Sequence, residues 1–416
     1  MEYSAIFCWI KIGKRGEIMR KLTKWAALLL TFVMLFTLFA CAAAEDPGTQ
    51  PPDTNLTDPE GNTKPDPDPP KPVTIRITAA GDNLLHDPIS KLAKQSDGTY
   101  DYTYLYKYIK KAVEGSDIAY INEEVMLCDV VANYPRFSAM SSVADALLDA
   151  GFNVMNLATN HSLDRGVSGL ETCLENVHQR DFDAILGAFR TEDESKQQII
   201  VEKQGIRFGF LSYTYGLNGL NLPADKQWMV ARIEEEKIRT ECAALRENCD
   251  YLIVSMHWGN EYQTKQNAEQ EALAQILAEE GVDLVIGTHP HVIQPAVWYD
   301  RPDGGKMYCV YSLGNFVSNQ HRRDTMLGGL LDMTLEFDAT TGNLLAVKSA
   351  GIIPLVMHFQ NRFTVQHAYL LEDYTDQLAA AHGIKNYTKA LTLDYLEDLA
   401  DSVLGDQRRS WEDTND

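Results

Sequence analysis

Cationic residues are scarce in this 416-residue chain: 37 Lys and Arg stand against 59 Asp and Glu, a net charge of -22. Too few are left to neutralise phosphates, which argues against unaided binding to nucleic acid or to an anionic lipid surface. Cysteine is sparse and never spaced as Cys-x-x-Cys, which argues against a zinc ribbon or a thioredoxin-type redox site. Beyond Cys41 five cysteines remain (128, 173, 242, 249 and 309); they are scattered and odd in number, so no disulfide framework is evident. One bridge, Cys242–Cys249, stays open in an oxidising compartment. There is no Gly-x-Ser-x-Gly elbow, no P-loop and no dinucleotide glycine fingerprint, which disfavours a serine nucleophile and the common nucleotide folds. What is present is ordinary globular composition, 45% hydrophobic and 23% charged, so the chain is neither fibrous nor wholly disordered.

Aromatic residues are absent from Glu45 to Pro72, which instead carries nine of the 16 prolines and seven Asp or Glu. Such a segment buries no core and reads as an extended tether. Before it, Arg20-Lys21-Leu22-Thr23-Lys24 leads into an apolar run from Trp25 to Ala40, the pattern of a secretory signal. Leu38-Phe39-Ala40-Cys41 resembles the lipobox of bacterial lipoproteins, in which the cysteine is lipidated and becomes the mature terminus. The run is also nearly long enough to persist as an uncleaved anchor. Both fates put the remainder outside the cytoplasmic membrane, lipid-anchored in the favoured one. Met19 starts the signal pattern better than Met1, so residues 1–40 read as a mis-started extension plus signal, 41–72 as linker, 73–372 as the globular domain and 373–416 as a polar helical tail.

Within the domain, apolar strand-like runs alternate with helical patterns, which predicts an α/β fold. Strands are expected at Val73–Ala80, Asp117–Ile121, Phe152–Ala158, Ile206–Tyr213, Tyr251–Met256, Val282–Ile286 and Met307–Ser312, helices at Ser141–Ala150 and Ala268–Glu280, and hairpin-like strands near Leu330–Phe337 and Leu344–Ile353. Each polar cluster follows the C-terminal end of a strand, where open α/β sheets gather ligands.

Those clusters hold Asp82, His86, Glu124, Asn160, His161, His257, His289 and His291. Carboxylates with neutral imidazoles suit Mn, Fe or Zn, and a carboxylate can bridge two ions about 3.5–4 Å apart. His289-Pro290-His291, if extended, points both imidazoles to one side. Asn160-His161 pairs an amide ligand with a candidate acid or base, which Asp164 could orient. Gly81-Asp82 taken alone is an ordinary turn, and His86 is either a ligand or a solvated residue. On an extended segment Glu124 shares a face with Asn122 and Glu123 faces away, so Glu124 is the expected bridge. Glu261 and Tyr262 are expected to line the pocket, along with Asn315 and Arg322.

The ordered motifs Gly81-Asp82, Asn122-Glu123-Glu124, Asn160 to Gly166, His257 to Tyr262, Gly287 to Pro295 and Tyr311 to Phe316 resemble the CapA family, the poly-gamma-glutamate capsule biosynthesis proteins of the calcineurin-like metallophosphatase superfamily. The resemblance implies an αββα sandwich with mixed sheets and a centre of one or two divalent metals. Asp82 and His291 would hold one ion, Asn160, His257 and His289 the other, Glu124 would bridge, and His161 would act as general acid. Two positions depart from the superfamily pattern. Leu84 stands where Asp-x-His would place histidine, so His86 substitutes or one ion lacks a ligand. The bridge is Glu rather than Asp.

The first functional expectation is an extracytoplasmic, metal-dependent hydrolase or transferase of capsule assembly, acting on an anionic polymer. Metals and a local cluster such as Arg322 and Arg323 would have to overcome the repulsion between two polyanions. The alternatives are a non-catalytic polymer-binding or export subunit of a membrane synthase complex, and a general envelope phosphoesterase.

Overall fold

The computed structural model describes residues 71–412. The signal, Cys41 and the linker up to Pro70 lie outside the described residues.

Among the described residues fourteen strands form two sheets. The larger joins β1 (Pro72–Asn83), β2 (Ile118–Glu123), β3 (Val154–Asn156), β4 (Ala184–Leu186), β11 (Asn315–Val317), β12 (Leu327–Asp338), β13 (Leu344–Phe359) and β14 (Gln366–Leu370). Its order is β14-β13-β12-β1-β2-β3-β4, with β11 also pairing β1. The smaller joins β5 (Ile199–Lys203), β6 (Ile206–Thr214), β7 (Tyr251–His257), β8 (Leu284–Thr288), β9 (Ala296–Asp300) and β10 (Lys306–Val310), in the order β5-β6-β7-β8-β10-β9. Both sheets are mixed: β1 to β4 run parallel while β12 to β14 are antiparallel. In the smaller sheet β6, β7, β8 and β10 are parallel, between antiparallel edges.

The period of two along the strands sorts side chains into separate cores. In β2, Ile118 and Tyr120 face the other sheet, whereas Ala119 and Ile121 pack with α1 (Asp87–Ala93), α2 (Lys110–Val113), α3 (Ser142–Asp149) and α4 (Gly166–His178). In β7, Tyr251 and Ile253 enter the same inter-sheet core, while Leu252, Val254 and Met256 meet α5 (Glu235–Arg246) and α6 (Ala268–Glu279). The layers are therefore helix, sheet, sheet, helix, the order expected from the resemblance. Each core strand is buried on both faces, which is why these segments read as continuous apolar runs.

Local chemistry sets several boundaries. Asn267 and Gln270 form a reciprocal capping box at the start of α6, and Gly281 closes that helix at φ 78°. The expected strand at Phe152–Ala158 is reduced to Val154–Asn156, because Asn156 turns inward to bond the next segment. The tail reads as polar, but α8 (Leu393–Leu404), which follows α7 (Asp376–Ala381), buries Leu396, Ala400 and Leu404 in the inter-sheet core. Spacing of four residues makes that stripe continuous. All five described cysteines are free thiols; Cys242 and Cys249 pack in the core beneath α5 and form no bridge.

Candidate metal centre

Gly81-Asp82 is not a turn. Strand β1 runs through it, with a register irregularity, to Asn83. A Cβ on Gly81 would lie 2.0 Å from the Gly314 carbonyl oxygen, so only glycine lets the two backbones meet. That approach lets the Asp82 N–H donate to Gly314 O at 2.9 Å and delivers the Asp82 carboxylate to the edge where the parallel strands end.

The same edge receives Glu124 after β2, Asn160 and His161 after β3, His257 at the end of β7, and His289 and His291 after β8. All are buried. His289 and His291 do not lie on an extended segment. Both adopt left-handed backbone, at φ 98° and 61°, a strained state for non-glycine residues that is concentrated here at the site. The turn, rather than strand alternation, brings both rings inward; their centroids lie 5.9 Å apart, and that of His257 is 4.9 Å from that of His289.

Donor atoms converge in two groups around Glu124. His257 Nε2 is 2.9 Å from Asn160 Oδ1 and 3.7 Å from Glu124 Oε1. His291 Nδ1 is 3.0 Å from Asp82 Oδ2 and 3.9 Å from Glu124 Oε2. Neighbouring ligands held about 2.1 Å from a common ion sit about 3.0–3.4 Å apart, so the 2.9 and 3.0 Å spacings are close to that range while those to Glu124 are somewhat longer. Both Glu124 oxygens and His289 Nδ1 are buried with no hydrogen-bond partner, a costly arrangement that a bound cation would relieve. Glu124, His289 and His291 each offer an atom within 4.8 Å of the others'. The residues thus fit a divalent centre.

Electrostatics agree with the burial. Desolvation, reinforced by Asp82, raises the Glu124 carboxyl well above its usual range. Desolvation also holds His257 well below its ordinary value and takes His289 to about 3, so both rings are neutral and available as ligands. Supporting bonds fix the donors. Thr288 Oγ1 lies 3.0 Å from His257 Nδ1. Asp82 Oδ1 accepts from Asn122 Nδ2 at 2.9 Å and from the His289 N–H at 3.2 Å. Asn122 in turn accepts from Asn156 Nδ2 at 2.7 Å, and Asn156 Oδ1 accepts from Ser212 Oγ. This buried chain links both sheets to the carboxylate.

Beside the donors, His161 Nδ1 lies 2.7 Å from Asp164 Oδ2, which also accepts the Phe137 N–H at 2.7 Å. His161 and Asp164 line a groove of about 920 Å³ together with Asn160, Glu261, Tyr262 and His291. Arg136, Tyr134 and Asn218 lie along it as well.

Three sequence expectations come out differently. His86 lines the groove, but its Nδ1 is taken up by backbone, 2.9 Å from Leu84 O and 3.3 Å from the Asn319 N–H; burial lowers its pKa to about 4. Asn315 is interior, not part of the groove lining, because it sits in β11 and its Nδ2 donates to Gln320 Oε1 and Thr325 O. Arg322 is drawn away by Asp324 and lies over the Tyr262 ring at 4.6 Å, outside the lining. The sequence reading also missed Asn218, whose amide reaches both Asn160 and His161, because Asn218-Gly219 reads only as a turn. It missed Tyr215, whose ring is 4.6 Å from His289, for want of any motif.

The family model described as "Bacterial capsule synthesis protein PGA_cap" matches residues 76–320. The capsule biosynthesis protein CapA of Bacillus anthracis is 26% identical over 277 residues, 64% of this chain and 65% of that protein. The PGA biosynthesis protein CapA of Bacillus subtilis (strain 168) is 31% identical over 205 residues, 47% of this chain and 50% of that protein. The matched region thus spans half to just under two thirds of each relative. Among solved structures, a phosphatase from Mycoplasma pneumoniae superposes with a TM-score of 0.42 at 14% identity, covering 68% of this chain and 94% of that one. The NAD nucleotidase of Haemophilus influenzae gives 0.44 at 12%, covering 83% and 66%.

Proposed function

The chain belongs to the bacterial capsule synthesis protein PGA_cap family, and from that premise we propose that it is a lipid-anchored, extracytoplasmic hydrolase or transferase of capsule assembly that works through a divalent metal centre. The observation that carries this reading is the pair of unpartnered Glu124 oxygens, buried between two groups of donors of which Asn160 and His291 also line a groove. Asp82, Glu124, Asn160, His257, His289 and His291 would hold the metal. When bound, it would supply Lewis acidity and an activated nucleophile at neutral pH.

The chain's own residues do the rest. His161 holds a proton at the groove wall for a leaving group, and Asp164 fixes its ring orientation. Asn218 Oδ1 accepts from Asn160 Nδ2, and its amide nitrogen packs 3.2 Å from His161 Nδ1, which keeps the donor and the acid in register. The groove encloses about 920 Å³, and Glu261 and Tyr262 form part of its wall. An anionic capsule polymer is the substrate this reading favours, in keeping with relatives named for capsule and PGA biosynthesis. Cys41 would carry the lipid, and a membrane synthase complex would be the partner.

The test is elemental analysis of the purified full chain after metal-replete expression, paired with a turnover screen of γ-glutamyl and phosphodiester substrates. Bound divalent metal, reduced in His289→Ala, together with turnover of a γ-glutamyl polymer, supports the reading. A metal-free wild-type chain removes it. Metal with turnover of phosphodiesters alone favours the envelope phosphoesterase instead.

A further inference from the structure

The groove carries its charges unevenly. Among the described residues its lining includes one arginine, Arg136, and no lysine. Its acids are Asp164, held by His161 Nδ1 and the Phe137 N–H, and Glu261, which lies close enough to Glu124 to raise that carboxyl by repulsion. The arginines expected to meet an anionic polymer are engaged elsewhere. Arg322 pairs with Asp324 and covers the Tyr262 ring, and the Arg323 guanidinium lies 3.5 Å from the centre of the Tyr395 ring. Arg136 is exposed, and among the described residues its guanidinium has no ion pair or hydrogen bond. In a chain of net charge -22, an anionic substrate entering the groove meets this one uncommitted guanidinium.

The backbone beneath Arg136 is fixed. Ala132 and Ser138 exchange backbone bonds at 3.0 and 3.3 Å, the Arg136 N–H donates to Asn133 O at 3.2 Å, and the Ala139 N–H donates to Met126 O at 2.9 Å. Phe137, next in the chain, donates its N–H to Asp164 and sets its ring edge-on to His161. Arg136 is therefore seated on the same turn that orients the proposed acid, whereas Glu261 bears on the metal side. An anionic group is repelled by Glu261 and drawn toward the His161 wall. The planar fork of arginine matches a carboxylate with two parallel N–H···O bonds. In a γ-glutamyl chain the carbon that carries the leaving nitrogen also carries a free carboxylate, so such a substrate brings that group to the place where the proton is delivered.

We infer that Arg136 selects the substrate: it pairs with a free carboxylate on the leaving-group side of the bond to be cut, beside His161. This deepens the capsule-polymer reading, on which it rests, by assigning the residue that recognises the polymer's charge and the side on which it does so.

The experiment is a calorimetric titration of the purified, Mn²⁺-loaded full chain with a γ-glutamyl pentamer and with the same pentamer after every free carboxylate is converted to an amide, metal content being read in each variant. The wild-type chain should prefer the carboxylate form by about five-fold or more, and added salt should erode that preference. Arg136→Gln should abolish the preference while binding the amide form as wild type does, and Arg136→Lys should restore part of it, a point charge without the fork. Equal losses for both pentamers, or a preference unchanged in Arg136→Gln, would overturn the assignment; wild-type metal content in that variant would leave the metal-centre reading standing. A loss confined to a glycerophosphodiester oligomer would overturn the carboxylate. Binding of neither pentamer by a metal-bearing wild-type chain overturns the assignment as well. A metal-free wild-type chain that still shows the Arg136-dependent preference would keep the assignment and remove the hydrolase reading.

Discussion

His161 and Asp164 sit three residues apart and share a 2.7 Å contact between Nδ1 and Oδ2 in a buried turn. The carboxylate is itself held by the Phe137 N–H, and the Phe137 ring meets the His161 ring edge-on at 4.9 Å. The imidazole is thereby fixed from two sides, with Nδ1 committed to the carboxylate. The expected consequence is that His161→Ala lowers turnover by about 10²–10⁴-fold while metal content stays at the wild-type value. Steady-state kinetics and elemental analysis on one preparation check it. Unchanged turnover would show that another group is the acid.

Asn122 touches no proposed metal position, yet it holds one oxygen of Asp82 and is itself held by Asn156. Asn122→Asp keeps the shape, removes the donor and places a second carboxylate beside the first. Metal affinity should fall about 10–100-fold. Direct titration of the variant reads this; wild-type affinity would mean that Asp82 is oriented by its backbone alone.

Gly81 and Gly287 are where strands pass too close for a side chain. A Cβ at Gly287 would lie 2.1 Å from Tyr311 O, as one at Gly81 would press on Gly314 O. Both obstacles are backbone atoms, which do not yield as a flexible side chain would. Gly81→Ala and Gly287→Ala should each destabilise the protein by at least roughly 1–3 kcal/mol, seen as a lower urea midpoint. A midpoint within error of wild type would show that the strands can part without cost.

Acid should unfold the domain through histidines remote from the site. Burial lowers His382 to about 4, with Lys385 adding to the effect against the Met357 carbonyl, and lowers His358 to about 3, with His382 and His367 adding to it. His382 Nδ1 accepts the Ile384 N–H at 3.0 Å, a bond that protonation would break. Both folded values lie below the unfolded value near 6.5, so the unfolded chain takes up the protons first as pH falls. Their contribution is complete above about pH 6.5 and is lost progressively toward pH 4 and then 3, by at most about 1.4 kcal/mol per pH unit per group. Urea unfolding from pH 7.5 to 4.5 should show that decline, and His382→Asn should flatten it. A variant as steep as wild type would assign the slope elsewhere.

The strand runs and the polar clusters at their ends were legible because parallel strands buried on both faces leave long apolar segments, and their C-terminal ends must carry the ligands. Tyr251–Met256 and Ile206–Tyr213 each miss one strand residue, and His257 falls at the end of β7, where the sequence pattern puts it. Less legible were α4 and α5. They are amphipathic without strong caps and depend on the sheets for their burial. Asn218 and Tyr215 carried no signal, since their roles come from loops that only tertiary contacts place.

The sequence by itself determined the layer pattern and the set of donors: period-two burial and the identity of residues at strand ends are local properties of the chain. The tertiary structure decided which oxygen of Asp82 faces Asn122 and which faces His291, and where Asn315 and Arg322 point. Those outcomes depend on backbones meeting at Gly81 and Gly314 and on hydrogen bonds crossing from one sheet to the other. No single segment encodes such contacts, because each partner lies scores of residues away.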